Sequence, residues 1–260
     1  MRIVIKVGTS TLAHSSGRMN IRRVELLCKV LSDIKNAGNQ IVLVSSGAIG
    51  MGVGKLGLSG RPGDMPGKQA AAAVGQCELM YTYDKLFSEY NHTVAQILLT
   101  ADDIQDENRS RHVHDTLEKL LSWGVLPVVN ENDAVSIDEI GVHTTIGEND
   151  TLSAIVAQLV GADMLVLLSD IDGLYTADPR KDPAATLIPV VEEITPDILA
   201  LAGGAGSGLG SGGMATKLKA AQLATTAHMD MVIANGEHPE VLHALLEGKP
   251  VGTRFIGRSK

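Results

Sequence analysis

The sequence has few cysteines, no long apolar run and no excess of basic residues, and each absence narrows what the chain can be. Its 2 cysteines, Cys28 and Cys77, show no CxxC or Cys/His spacing, so no metal-binding pattern is present and both are predicted to be buried thiols. The apolar runs are far shorter than the roughly 20 residues of a membrane helix, so no membrane partner is expected. A net charge of -8 argues against a nucleic-acid partner.

The N-terminus is also not expected to be a secretion signal. It begins with the strand-like segment RIVIKVG (2–8), which is too short and too charged for the apolar part of a signal peptide, so we expect a cytoplasmic protein. The chain has 260 residues, of which 44% are hydrophobic and 20% charged, as in typical globular proteins. We therefore expect one domain spanning residues 1–260.

Short apolar runs alternate with longer segments of helical periodicity. In the first helix, Asn20 can cap the N-terminus, apolar residues fall on one face, and Gly38 can end the helix. Such alternation predicts a mainly parallel sheet with helices on both faces. The predicted strands cover residues 3–7, 40–44, 94–98, 125–129, 164–168 and 231–234.

Three segments interrupt this alternation and are candidate site loops. They are the glycine-rich residues 47–67, the hairpin-like residues 134–145 and the glycine-rich residues 202–213. A glycine cluster can also be a flexible linker. The third segment, however, runs directly into a helix predicted at residues 214–226, and free backbone N–H groups at a helix N-terminus bind anions.

Familiar nucleotide-binding motifs are missing or misplaced. Two GxGxxG strings, at residues 52–57 and 208–213, lack the strand-turn-helix context that NAD binding requires. A P-loop needs Ser or Thr after Gly-Lys, but the 3 Gly-Lys pairs of this chain are followed by Leu, Gln and Pro. A P-loop is therefore excluded. Protein-kinase signatures and HExxH are absent as well.

Polar residues follow several predicted strands at their carboxyl ends, where open α/β sheets bind ligands. Lys6 precedes Gly-Thr-Ser, a combination that can hold a phosphate, although a lysine at a strand edge can also simply reach solvent. Ser46, in SSGA (45–48), suits a carboxylate, with an ordinary turn as the alternative. Asp133, in NEND (130–133), can hold an ammonium group.

Two further motifs adjoin predicted helices. Asn149 and Asp150 stand at the start of one helix, where capping is the alternative to ligand binding. Lys217 lies in the first turn of the helix after the second glycine-rich loop, where the macrodipole disfavours a cation unless an anion lies opposite. With SDIDGLYTADPR (169–180), this segment is interpreted as a nucleotide site.

The motifs taken in order resemble those of the amino acid kinase family. They are KVGTS (6–10), SSGA (45–48), NEND (130–133), END (148–150), LSDIDGLY (168–175) and SGGMATK (211–217). The resemblance extends from residue 1 to about residue 255. It implies a three-layer αβα sandwich on a mainly parallel sheet of about eight strands. The acidic substrate would lie on the N-terminal half and ATP on the C-terminal half.

The resemblance also implies ATP-dependent phosphorylation of the γ-carboxylate of L-glutamate, with Mg²⁺ bridging the ATP phosphates. Lys6 and Lys217 would hold the transferring phosphoryl group, and Asp150 would orient both lysines. A carboxylate is already a nucleophile, so no general base is expected. The residues implied to bind glutamate are Ser46, Asp133 and Asn149. Those implied to contact ATP are Lys6, Ser169, Asp170, Ser211, Gly212, Gly213, Met214, Ala215, Thr216 and Lys217.

The chain departs from the family pattern in two respects. Glu148 stands where aspartate is usual, and we expect the chain to lack the RNA-binding-like (PUA) C-terminal domain of many relatives. The resemblance implies a homodimer or dimer of dimers, feedback inhibition by proline, and functional coupling to glutamyl phosphate reductase in proline biosynthesis. Two alternatives remain open. One is a sibling kinase for aspartate, acetylglutamate, carbamate or UMP, and the other is a non-catalytic amino-acid sensor.

Overall fold

The computed structural model describes residues 1–14, 17–135, 149–202 and 213–257. The strands are β1 (Arg2–Val7), β2 (Gln40–Val44), β3 (Val94–Leu99), β4 (Leu126–Glu131), β5 (Met164–Ser169), β6 (Val190–Val191), β7 (Asp230–Asn235) and β8 (Thr253–Phe255). The helices are α1 (Thr9–Leu12), α2 (Ile21–Asn36), α3 (Ala48–Leu56), α4 (Met65–Ser88), α5 (Ala101–Gln105), α6 (Glu107–Ser122), α7 (Asn149–Leu159), α8 (Pro196–Ala200), α9 (Met214–Thr226) and α10 (Val241–Leu246).

These strands form one sheet of 8 strands in the order β3-β4-β2-β1-β5-β7-β8-β6. Over the described residues every pairing is parallel except that of β7 with β8. The prediction of a mainly parallel αβα sandwich is therefore confirmed. All six strands expected from the apolar runs are present, and the short β6 and β8 complete the sheet.

Two buried apolar cores lie on opposite faces of the sheet. Ile3, Ile5 and Val7 of β1 face the core that includes α2 and α4, whereas Val4 faces the core that includes α7 and α9. The other central strands alternate in the same way, because successive side chains of a strand point to opposite faces. Both faces are covered, so the central strands are apolar almost throughout. Lys6 shares the face of Val4 and so points toward α7 and α9.

The segment 47–67, expected to be a loop, is helical at residues 48–56 and 65–67 and irregular between them. It contains α3 and the start of α4, and glycines allow the two helices to cross closely. A Cβ atom on Gly75 would lie 1.7 Å from the backbone oxygen of Ala48, and one on Gly52 would lie 1.8 Å from that of Ala71. Gly52 and Gly75 therefore serve close helix packing rather than flexibility.

The two cysteines differ in their exposure. Cys28 is buried as predicted, but Cys77 is exposed, because its position in α4 lies on the side that faces away from the core.

Most of the segments 134–145 and 202–213 lies outside the described residues, and so do Glu148, Ser211 and Gly212. Within the described ranges, no helix is both long and apolar enough to span a bilayer.

Candidate active site

The predicted site residues of the strands lie at one edge of the sheet. Lys6 of β1 is in register with Val44 of β2 and Leu167 of β5, so these parallel strands end side by side. Ser46 lies two residues beyond the end of β2, and Ser169 is the last residue of β5. Three neighbouring strands thus bring their polar residues to the same edge, as expected for a parallel sheet.

Two lysines and one aspartate form a buried ionic cluster at this edge. Asp150, the second residue of α7, is 1% exposed. Lys6 Nζ lies 2.6 Å from Asp150 Oδ1, and Lys217 Nζ lies 3.2 Å from Oδ2. The hydroxyl of Thr216 donates to the same Oδ2 at 2.9 Å. The three ionic groups come from β1, α7 and α9, and together they carry a net charge of +1.

The environment keeps Asp150 ionised. Burial has the largest single effect on the pKa of Asp150 and raises it, but the nearby charges of Lys6 and Lys217, with hydrogen bonds from Lys6 and Thr216, outweigh it. The pKa therefore lies below the ordinary aspartate value. A buried cluster with net positive charge is suited to an anion, because an anion offsets the cost of removing two cations from water.

Helix α9 presents its N-terminus to the ionic cluster. Gly213 is the N-cap residue and, as a glycine, has no side chain that could cap the helix; Met214 and Ala215 lie in the first turn. Lys217 is 5% exposed and points to Asp150 despite the unfavourable dipole at this end of the helix. A phosphate placed here would meet both the helix N-terminus and the lysine.

A network of amides and hydroxyls lies next to the ionic cluster. Asn149 Nδ2 donates to Ser46 Oγ at 2.7 Å, to the backbone oxygen of Ser45 at 3.0 Å and to Asn130 Oδ1 at 3.2 Å. The side chain of Asn149 therefore bridges the ends of β2 and β4 instead of capping its own helix. Ser46 and Asn149, both predicted to bind the acidic substrate, are thus brought into direct contact.

Asp133 lies on the wall of a cavity of about 660 Å³, together with Ala48, Gln76 and Glu131. Burial raises the pKa of Asp133 above the ordinary aspartate value, and the charge of Arg61 opposes this shift only in part. An ionised Asp133 is therefore costly on its own and would be stabilised by a cationic ligand.

The residues predicted for the nucleotide lie beside β5. The hydroxyl of Ser169 donates to Asp170 Oδ1 at 3.2 Å. The backbone N–H of Gly236 donates to the backbone oxygen of Ser169 at 2.7 Å. The loop continues to Asp172, which accepts a hydrogen bond from Asn235 Nδ2 at 2.8 Å. These hydrogen bonds link the loop after β5 to the end of β7, and both strands belong to the C-terminal half of the chain.

Comparison with known proteins identifies the family of this chain. The profile of the Amino acid kinase family matches residues 1–235. The chain belongs to this family. It is 54% identical over 257 residues to the glutamate 5-kinase of Clostridium perfringens (strain 13 / Type A), covering 99% of this chain and 96% of that protein. It is 56% identical over 253 residues to the glutamate 5-kinase of Clostridium tetani, covering 97% and 93%.

A solved structure shows the same fold at low sequence identity. The carbamate kinase from Giardia lamblia bound to AMP-PNP superposes with a TM-score of 0.67 at 20% identity, covering 99% of this chain and 98% of that one. At this identity the likeness concerns the fold alone. It agrees with the amino acid kinase architecture of the sheet and its two helical layers.

The amino acid kinase fold gathers most of the predicted site residues, but sequence reasoning missed several contacts. Lys6, Asp150 and Lys217 meet directly, whereas Asp133 stands apart on the cavity wall. Gln76 and Tyr83 of α4 reach the amide network and were not predicted. No local sequence signal marks them, because they are single polar positions within a long helix.

Proposed function

We propose that this chain transfers the γ-phosphoryl group of ATP to the γ-carboxylate of L-glutamate, giving glutamyl 5-phosphate and ADP. The observation that carries the proposal is the buried cluster of Lys6, Asp150 and Lys217 beside the polar network of Ser46 and Asn149. Relatives named glutamate 5-kinase, which match nearly the whole chain, support glutamate as the acceptor.

The ionic cluster would act on the transferring phosphoryl group. In phosphoryl transfer the protein mainly positions the reactants and stabilises charge on the phosphoryl oxygens. Lys6 reaches the cluster from β1 and Lys217 from α9, so the two ammonium groups can hold the group from both sides. Asp150 fixes their positions without contacting it. The acceptor carboxylate is already a nucleophile, so no general base is required.

Recognition of the substrates would be divided between the two halves of the sheet. Ser46 and Asn149 would hold glutamate at the ends of β2 and β4, and Asp133 would attract its ammonium group. ATP would lie on the other side of Lys6. The residues proposed to contact it are Lys6, Ser169, Asp170, Ser211, Gly212, Gly213, Met214, Ala215, Thr216 and Lys217.

Mg²⁺ fits this site as a companion of the nucleotide. The described residues contain no group of three or more His, Cys, Asp or Glu that could cage a metal ion. Asp150 already pairs with two lysines. The ATP phosphates and water would therefore hold the ion, as is common for Mg²⁺ in kinases. When bound, it supplies positive charge to the phosphates.

The test is turnover of ATP across a panel of acceptors, namely glutamate, aspartate, acetylglutamate, carbamate and UMP. We expect activity with glutamate and, in the presence of hydroxylamine, formation of the γ-hydroxamate that reports an acyl phosphate. Preference for another acceptor would assign the chain to a sibling kinase. ATP consumption with glutamate but without hydroxamate would contradict the chemistry. No turnover with any acceptor would favour the amino-acid sensor.

Further features of the proposed enzyme follow from the family. We infer that residues 1–260 form one catalytic domain, that the protein is cytoplasmic, and that it is a dimer or tetramer. Near the edge strand β3, Tyr81 of α4 is 67% exposed, and a second copy would cover it. We also infer inhibition by proline and coupling to glutamyl phosphate reductase, which would consume the labile product. Activity unchanged by millimolar proline would contradict the inhibition.

A further inference from the structure

Helix α4 lies outside every motif of the site, yet two of its side chains enter the amide network. Gln76 and Tyr83 are seven positions apart, so they lie on the same face of the helix. Gln76 is 9% exposed and Tyr83 1%. Burying polar groups in this way is costly unless each is hydrogen-bonded, which points to a specific role for both contacts.

Gln76 fixes one end of the network. The backbone N–H of Glu131 can only donate, so the Asn130 atom that it contacts at 2.9 Å must be the oxygen, Oδ1. The amide nitrogen of Asn130 therefore faces Gln76, which accepts its hydrogen bond through Oε1 at 2.8 Å. With both of its ends engaged, the buried Asn130 amide has one permitted orientation.

Tyr83 supports the other end. The hydroxyls of Tyr83 and Ser45 are hydrogen-bonded at 2.9 Å, and burial raises the pKa of Tyr83, so its phenol stays neutral. The backbone oxygen of Ser45 can only accept, so the Asn149 atom that it contacts at 3.0 Å must be the nitrogen. The nitrogen of Asn149 also faces Asn130 Oδ1, which Gln76 holds in place through the Asn130 amide.

The consequence is a preset acceptor at Asn149. All three hydrogen bonds of its side chain to described residues use Nδ2. Its Oδ1 is buried and has no hydrogen-bond partner among the residues that the structure describes. An unsatisfied buried acceptor is unfavourable, and a ligand that brings an N–H donor removes the penalty.

We propose that Gln76 and Tyr83 are positioning residues that hold Asn149 Oδ1 toward the ammonium group of the amino acid substrate. This inference rests on the proposed function, because glutamate is the ligand that carries such a donor. Without Gln76, the Asn130 amide keeps only one of its two restraints, the hydrogen bond from the Glu131 N–H, and Asn130 Oδ1 holds the Asn149 amide less firmly. The turned orientation of Asn149, which presents a donor to the ammonium group and repels it, is then populated more often.

The experiment uses the full chain with Gln76→Met and Tyr83→Phe, which remove the hydrogen-bonding groups and keep similar side-chain volumes. Tyr90→Phe is the matched control, since Tyr90 follows α4 and is 40% exposed. Turnover is measured with glutamate and with glutarate, which lacks the amino group. Thermal melting and the KM for ATP monitor the fold and the nucleotide site.

We expect the KM for glutamate to rise about tenfold in Gln76→Met and about threefold in Tyr83→Phe, the range for a weakened hydrogen bond to a charged group. The preference for glutamate over glutarate should fall by the same factors. The KM for ATP and the Tyr90→Phe control should stay as in the wild type. A merely structural role would lower turnover of both acceptors alike.

Two results would overturn the inference. One is a glutamate KM within about twofold of wild type in both variants, which is below the effect of a typical hydrogen bond. The other is an equal loss with glutamate and glutarate. If Gln76→Met does not fold, Tyr83→Phe decides by the same criteria. Wild-type protein inactive with glutamate would overturn the proposed function as well, whereas an active wild type with unaffected variants overturns this inference alone.

Discussion

Replacing Lys217 by methionine tests the central contact of the proposed mechanism. The change removes one of two buried ammonium groups and keeps most of the side chain's apolar length. Lys217 Nζ lies 3.2 Å from Asp150 Oδ2, and Lys6 retains its own contact at 2.6 Å to Oδ1. The cluster therefore falls from a net charge of +1 to a neutral pair, and no buried charge loses its last partner.

The expected effect on the rate follows from this geometry. Two unit charges about 4 Å apart interact by about 4 kcal/mol at the effective dielectric constant of a protein site. Only the part that grows toward the transition state affects kcat. Loss of one donor to a developing anion typically costs about 3 kcal/mol, so kcat should fall about 10²-fold to 10³-fold. The KM for glutamate should change less than about threefold, because uniform substrate binding is unaffected.

The assay is ADP release with saturating ATP and glutamate, together with hydroxamate formation. Lys219→Met is the matched control, since Lys219 is exposed and lies two positions further along α9. Lys6→Ala should show a similar loss, and the double variant should be far from additive because both lysines act on one group. Near-normal kcat in Lys217→Met would refute the phosphoryl contact. The glycine-rich residues 202–213 would then be better interpreted as a linker.

Three further predictions address charge and packing. Asp133 binds an ammonium group only when it is ionised, and its pKa is raised above the ordinary aspartate value of about 3.9. The kcat/KM for glutamate should therefore fall as the pH drops through the pKa of Asp133. Asp133→Asn should remove that pH dependence. Asp150→Asn should lower the free energy of unfolding by about 3 kcal/mol, with sulfate restoring more stability than in wild type; unchanged melting would contradict this. Gly75→Ala, unlike Gly60→Ala in open space, should cost about 3 kcal/mol in urea unfolding, and equal stability would disprove the close crossing.

The parallel sheet could be predicted because its strands are buried on both faces. A run such as Ile41 to Val44 is recognisable from apolar content alone, and the predicted boundaries lie within two residues of the observed ones. The strands β6 and β8 have only 2 and 3 residues. A period cannot be recognised over so short a length, so tertiary pairing at the sheet edge determines them.

The glycines of residues 47–67 show where composition misleads. Gly52 and Gly54 lie within α3, although glycine is a poor helix former. Their presence is explained by backbone atoms of distant segments: Ala71 on α4 approaches Gly52, and Gly17 approaches Gly54. Close packing of that kind depends on partners that are remote in sequence. The segment therefore looks like a flexible loop until the fold is known.

The candidate site was predictable as far as strand ends mark it. Parallel strands bring Lys6, Ser46 and Ser169 to one edge, so their proximity follows from the topology. The contribution of Gln76 and Tyr83 does not follow, because α4 crosses the site by tertiary packing and carries no motif there. The roles in catalysis and binding stay predictions until the variants are measured.

Stability and catalysis are expected to share the ionic cluster. Lys6, Asp150 and Lys217 are buried before any ligand binds, so folding already bears the cost of dehydrating them. An incoming phosphoryl group then meets two cations whose positions Asp150 has set, and little reorganisation remains for the reaction itself. Removing Lys217 leaves a balanced ion pair and should affect mainly the rate. Removing the charge of Asp150 leaves two buried cations without their shared partner, so it should affect both the rate and the fold.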